Sequence, residues 1–172
     1  MATEAPTLEK LFHDTLRDVY YAEKKLVKTL PKLAKKATNE ALSQAITDHL
    51  AETEGHVARL ENVFKMINKT PRAKNCPAMN GLVEEGAELM EEFDPSSLLD
   101  AGLIGAAQAV EHYEIARYGT LCAWAEQLGL TEAKDLLGQT LEEEEAADKK
   151  LSALSAEINA EAGSENERQA AE

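Results

Sequence analysis

The chain has 172 residues, with 18 Lys and Arg against 32 Asp and Glu and a formal net charge of −14. Its length fits one domain, able to bury roughly 70% of the surface that the unfolded chain exposes. Hydrophobic residues make up 44% but aromatic residues only 5%, which excludes a disordered chain and, with so much Ala, Leu, Glu and Lys, argues for an all-α fold over a β-sandwich or barrel. The acid excess speaks against duplex nucleic acid, whose affinity rests on Lys and Arg meeting phosphates, and it repels anionic membrane surfaces. No run of about 18 apolar residues offers a membrane span, and MATEAPTLEK has no basic patch leading into an apolar core. Cys76 and Cys122 lack a CxxC spacing. Neither a disulfide framework nor a thiolate metal site is expected, and the reading is cytoplasmic.

The first helix is marked by Leu8, Leu11, Phe12, Leu16, Val19, Leu26, Leu30 and Leu33, whose three- and four-residue spacing makes one apolar stripe. Thr7 is its N-cap, and the pattern survives Pro31 to about Lys36. Thr38 or Asn39 caps a second helix carried by Leu42, Ile46, Leu50, Val57, Leu60, Phe64 and Ile67. Thr70-Pro71 and Cys76-Pro77 then open a long connection holding a short helix from about Asn80 to Phe93. Asp94-Pro95-Ser96-Ser97 ends it and caps a third long helix, Leu98 to Leu128, whose Ala101, Gly102, Gly105, Ala106, Ala107 and Ala109 suit close helix approach. Gly129 stops that helix, and Thr131 caps a fourth that runs to about Ile158. Two helical hairpins joined by one long crossover make a ferritin-like four-helix bundle over residues 1–158. Residues 159–172 have almost nothing to bury and read as a polar, disordered tail.

Acids and histidines interrupt each stripe. Glu23 lies one heptad after Leu16 and one before Leu30; Glu52 and His56 are four apart on the second helix, with His49 one turn earlier. Glu114 follows Val110 by four with Glu111 nearby, and Glu144 and Asp148 are four apart between Leu141 and Leu151. A lone buried carboxylate costs several kcal/mol and tends to protonate, so four helices aiming acids inward call for a shared counter-charge. A pair of metal ions supplies it, bridging carboxylates holding two hard ions together. The sequence also echoes itself. Glu23 and Glu114 are 91 residues apart, and Glu52 and Glu144, like His56 and Asp148, are 92 apart.

Other polar residues read more plainly. Glu142 to Glu145 is mostly a solvated face, and His49 and His112 are histidines hydrogen-bonded to nearby carboxylates. Tyr20, Tyr21, Tyr113 and Tyr118 pack with wet hydroxyls, and Trp124 is core or a dimer contact.

DVYYAEKKL (Asp18 to Leu26), DHLAETEGHVARLE (Asp48 to Glu61), NCPAMNGLVEE (Asn75 to Glu85), AAQAVEHYEIARYGTL (Ala106 to Leu121) and TLEEEEAADKKL (Thr140 to Leu151) resemble the bacterial YciE/YciF family of ferritin-like stress proteins over nearly the whole chain. The resemblance implies a ferritin-like bundle, commonly a dimer, with a di-iron centre and a link to general or osmotic stress. One departure from the wider superfamily stands out. In place of Glu-x-x-His, the second helix offers Glu52-x-x-x-His56 and His49-x-x-Glu52, and the fourth offers Asp148 where many relatives have His, so either histidine of the second helix is open as a ligand.

The expected site therefore has Glu52 and Glu144 bridging two ions, Glu23 and Glu114 as terminal carboxylates, and His56 and Asp148 completing the two spheres, with His49 and Glu111 as further candidates. Iron is expected, with manganese as the alternative, in a homodimer acting on dioxygen or peroxide. Two other readings compete: a metal-free helical protein whose acids are met by Arg59, Arg117, Lys24 and histidines, and iron storage in a larger shell.

Overall fold

A computed structural model describes residues 6–170, with side chains to residue 165. Among them lie five helices: α1 (Leu8–Lys36), α2 (Glu40–Met66), α3 (Pro77–Glu92), α4 (Ser97–Gln127) and α5 (Thr131–Ala170). The described residues contain no strand.

Local chemistry sets most boundaries. Thr7 accepts from Lys10 N and Asn39 from Leu42 N, each satisfying a first-turn donor. Asp100, reaching over from α4, accepts from Thr38 N, the Thr38 hydroxyl and Asn39 N at 2.5–2.8 Å and so pins the turn between α1 and α2. The helix in the crossover starts three residues before its expected position. Cys76 caps it, its sulfur accepting from Met79 N, and Pro77 occupies the first helical position, where a missing N–H costs nothing. Ser96 caps α4. Gly129, at φ 69°, ends it, with Leu130 N donating to Ala125 O across the turn.

α1 packs on α2, α4 on α5, α2 on α5 and α1 on α4, while α3 lies against α4 and α1. The hairpins are antiparallel: Phe12 and Leu16 share a core with Leu60 and Phe64, and Leu30 and Leu33 share one with Leu42 and Ile46. The small residues of α4 meet α3. A β-carbon on Gly102 would sit 3.4 Å from Leu89, and one on Gly86 3.9 Å from Ala106.

The apolar interior comes in two blocks. One gathers Phe12 to Tyr20, Leu60 to Phe64, Tyr118 to Ala125 and Ala133 to Leu137; the other gathers Ala22 to Leu33, Leu42, Ile46, Leu99 to Val110, Leu151 and Ile158. Between them, at one height on all four long helices, the stripe breaks.

α5 does not stop near Ile158. It continues to Ala170, Ile158 and Ala162 are buried, and the Ser97 hydroxyl donates to Glu165. Residues 159–170 are thus helical where a disordered tail is expected; the one turn-to-turn apolar position at Ala162 was too slight a signal to read. Residues 171 and 172 of the expected tail lie outside the described residues.

Candidate metal centre

Six side chains fill the break between the two cores: Glu23 from α1, His49 and His56 from α2, Glu111 and Glu114 from α4, and Glu144 from α5. None of these residues is more than 6% exposed. They fall into two groups whose ligand atoms lie within 4.8 Å of one another, Glu23–His56–Glu144 and His49–Glu111–Glu114–Glu144. Glu144 belongs to both.

His56 Nδ1 is 3.0 Å from Glu144 Oε1 and 3.4 Å from Glu23 Oε1. Its Nε2 is 2.8 Å from Glu143 Oε2, and Glu143 is held in turn by both terminal nitrogens of Arg59. His49 repeats the arrangement: Nε2 is 3.4 Å from Glu111 and 3.6 Å from Glu144, while Nδ1 is 3.3 Å from Glu52. Each ring thus turns one nitrogen to the cluster and the other to an outer carboxylate, the pairing that orients a metal-binding imidazole. The Tyr118 hydroxyl donates to Glu23 Oε1.

The electrostatics are those of acids short of a counter-charge. Burial pushes Glu111 and Glu114 well above the usual carboxylate range, and neighbouring acid charges push the same way. Burial also raises Glu23, against the opposing influence of His56. For Glu144 burial acts in that direction too, but contact with His56 and the charges of both histidines outweigh it and hold the carboxyl low. Burial alone would lower His56; its closeness to Glu144 and Glu23 instead drives it up to about 10.

Whether the cluster suits a metal is decided by its unmade hydrogen bonds. Among the described residues, the buried side-chain atoms without a hydrogen-bond partner are Glu23 Oε2, His49 Nε2, His56 Nδ1, Glu111 Oε2 and both oxygens of Glu114 and Glu144. All eight belong to the six clustered residues. Native interiors rarely leave such atoms unpaired. Asp100, equally buried, is the contrast, since three donors meet it. Arg59 pairs with Glu143, Arg117 lies over Tyr113 near Asp18, and Lys24 lies over Tyr20. Of the partners in the metal-free reading, only His49 and His56 come within ion-pair distance of the four buried glutamates, and none within it of Glu114, while Arg59, Arg117 and Lys24 form no ion pair with them.

Of the expected ligands, the structure brings together Glu23, His56, Glu114 and Glu144, with His49 and Glu111 beside them. It does not bring in Glu52 or Asp148. The Glu52 side chain is 47% exposed and stands behind His49, so the shared position expected for a Glu52–Glu144 pair is held by Glu144 alone. Asp148 accepts from Gln108 and is 3.2 Å from His112, whose side chain is 69% exposed rather than in the core. Glu143 is not among the expected residues, and Tyr118, expected to pack with a wet hydroxyl, is fully buried with that hydroxyl on Glu23. Glu143 sits in an acid run that looks solvated, yet it lies 91 residues after Glu52, the spacing of Glu23 and Glu114, and both carboxylates stand behind a histidine.

No helix among the described residues is long and apolar enough to cross a membrane. Residues 7–163 match a family model described as a domain of unknown function, DUF892. Protein YciF of Escherichia coli strain K12 is 49% identical over 149 residues, covering 86% of this chain and 90% of its own length. The crystal structure of the E. coli stress protein YciF superposes with a TM-score of 0.86 at 47% identity, over 90% of this chain and 98% of that one. YcfI from Rhodopseudomonas palustris gives 0.85 at 47% identity over 88% and 97%. A Xanthomonas campestris protein at 21% identity and TM-score 0.73 shares the fold. The chain belongs to the DUF892 family and, within it, to the bacterial YciE/YciF stress proteins.

Proposed function

We propose that this protein is a ferritin-like four-helix bundle that holds two metal ions, iron first and manganese second, in the buried carboxylate–histidine cluster and acts on dioxygen or peroxide. The observation that carries the reading is the set of eight buried atoms without partners, all aimed into one space. Glu23 and His56 would hold one ion, His49, Glu111 and Glu114 the other, and Glu144 would serve both. An oxygen-rich donor set with one imidazole nitrogen per ion suits hard, redox-active cations. Bound there, an iron pair supplies one- and two-electron chemistry toward dioxygen or peroxide.

The chain's own residues do the rest. Glu143, fixed by Arg59, keeps the His56 ring turned so that Nδ1 faces inward, and Glu52 does the same for His49 through Nδ1. Tyr118 holds Glu23 by its hydroxyl and seals the site on the side of the core that holds Phe12, Leu60 and Leu137. Metal binding displaces the protons that burial keeps on Glu111 and Glu114, so affinity rises with pH. In this reading the protein works in the cytoplasm as a homodimer. Leu11 and Met66, exposed at 49% and 40% at one end of the α1–α2 hairpin, supply apolar surface for the partner.

Anaerobic Fe(II) titration with metal content read by mass spectrometry tests the proposal, with about two ions per chain expected. A content near zero in iron- and manganese-replete protein, with a melting curve indifferent to chelator, refutes it.

A further inference from the structure

Beside the cluster, on the side away from Tyr118, lies a cavity of about 130 Å³. Leu30, Ile46, Val83, Val110 and Leu151 line its apolar walls, one from each of the five helices. Its polar end is made by His49, Glu52 and Glu111, and Asp48 and Lys150, paired to each other at 2.9 Å, stand at its outer edge. Native cores seldom keep voids larger than a water molecule, because every wall atom facing one forfeits its contacts. This pocket, which opens to solvent past Asp48 and Lys150, is kept where the two hairpins and the crossover helix meet, against a histidine and a glutamate that each have an unpartnered buried atom.

We propose that the cavity is a binding site for a small uncharged molecule with a hydrocarbon body of about six carbon atoms and at most one hydroxyl group, lodged against the His49 and Glu111 end of the cluster. Size sets the upper limit, since a cavity of roughly 150 Å³ holds benzene. The walls set the chemistry. A charged ligand loses its hydration against leucine, isoleucine and valine, and an anion also meets Glu52, while Lys150 is already neutralised by Asp48. The crossover helix has a role here beyond linking the hairpins. Val83 and Gly86 of α3 close the wall that α1 and α4 leave open, and the small Ala106 of α4 lets α3 come close enough to do so.

The site is formed by helix packing and stands whether or not the cluster holds metal, so the test uses both metal-replete and chelator-treated full-length protein. Benzene, cyclohexanol and benzoate are titrated separately, with binding read from methyl chemical shifts. Benzene and cyclohexanol should bind saturably at one per chain in both preparations, shifting the methyls of Leu30, Ile46, Val83 and Val110, and benzoate should bind at least about tenfold more weakly. Ala45→Leu on α2 and Ala107→Leu on α4 fill the cavity from opposite walls and should each cut benzene affinity by about tenfold or more, with metal content unchanged. Absence of saturable binding to the wild type, shifts confined to other methyls, or benzoate binding as tightly as cyclohexanol would overturn the proposal. Binding retained in protein that takes up no metal would support this site while refuting the metal reading.

Discussion

Glu114 offers the sharpest test of the electrostatic reading, because it is fully buried and neither carboxyl oxygen has a partner. Replacing it with Met keeps the bulk and the flexibility needed to fill the same space while removing both oxygens. A buried polar group left unsatisfied costs roughly 1–3 kcal/mol, and exchanging buried ionisable groups for apolar ones of similar volume stabilises by roughly 1–4 kcal/mol. Chelator-treated Glu114→Met should therefore be more stable than chelator-treated wild type by about 2–4 kcal/mol, a rise in Tm of roughly 4–16 °C for a chain of this size. Adding Fe(II) should shrink or reverse the difference, since only the wild type keeps the full ligand set. The pH dependence has a definite sign. Glu23, Glu111 and Glu114 have raised values when folded, so the metal-free folded state keeps protons that the unfolded chain gives up above the usual carboxylate range. Stability then falls as pH rises, at about 1.4 kcal/mol per pH unit for each retained proton. His56, raised to about 10, stabilises fully below its usual value near 6.5 and loses that contribution as pH climbs through 10, which adds to the slope. Glu144, held low, acts oppositely, but only as pH falls below the carboxylate range. Melting curves from pH 5 to 9 should therefore decline for the metal-free wild type and decline less for Glu114→Met. A variant that melts below the metal-free wild type at neutral pH would mean that Glu114 has a satisfying partner and that the cluster is not short of a cation.

Glu144→Ala should lower metal content in both groups together, whereas Glu23→Ala should leave the His49 group loaded; mass spectrometry of the two variants separates these outcomes, and full loading of Glu144→Ala would remove it from the shared position. Glu143→Gln keeps the shape but weakens the support of His56, and should cost about 10–100-fold in affinity for the ion held by His56, read by competitive titration with a chelator. Asp100→Ala strips the acceptor from two backbone N–H groups and the Thr38 hydroxyl at the α1–α2 turn, and should destabilise the protein by about 2–4 kcal/mol in denaturant melts without changing metal content.

Much of this was legible in the sequence, and the parts that were not share a cause. The four long helices follow from apolar spacing and caps, and α1 starts and ends where Thr7 and Lys36 place it. Cys76-Pro77 looked like a break because proline is read as a stop, yet at the first helical position it is a start. Glu23, His56, Glu114 and Glu144 were visible because each replaces an expected leucine or valine in a stripe. Glu52 and Asp148 pass the same spacing test but miss the interior, since i and i+4 positions on a helix differ by about 40° around its axis, enough to turn one carboxylate to the rim when a neighbour takes the centre. Glu143 could not be told from Glu142 and Glu145 by composition. Its 91-residue distance from Glu52 and the position of His56 across the α2–α5 contact distinguish it.

The 91-residue echo explains why the centre is lopsided. At that spacing Glu23 answers Glu114, and Glu52 answers Glu143, so each hairpin supplies one inward glutamate and one outer carboxylate behind a histidine of α2. Neither histidine is repeated, since Thr140 answers His49 and Ala147 answers His56, and among the glutamates the echo fails in two places. Thr53 stands where the second hairpin has Glu144, and Tyr20 where it has Glu111. Thr53 is buried and spends its hydroxyl on the backbone oxygen of His49, and Tyr20 donates to Glu61, so neither contributes to the cluster. Both glutamates without a counterpart therefore come from the second hairpin, on α4 and α5, while both histidines come from α2. Neither hairpin alone can surround a cation with this donor set. Metal binding, as proposed, would then favour the docked pair of hairpins over the separated one, and chelation should loosen the α2–α5 contact before it loosens the turn that Asp100 pins.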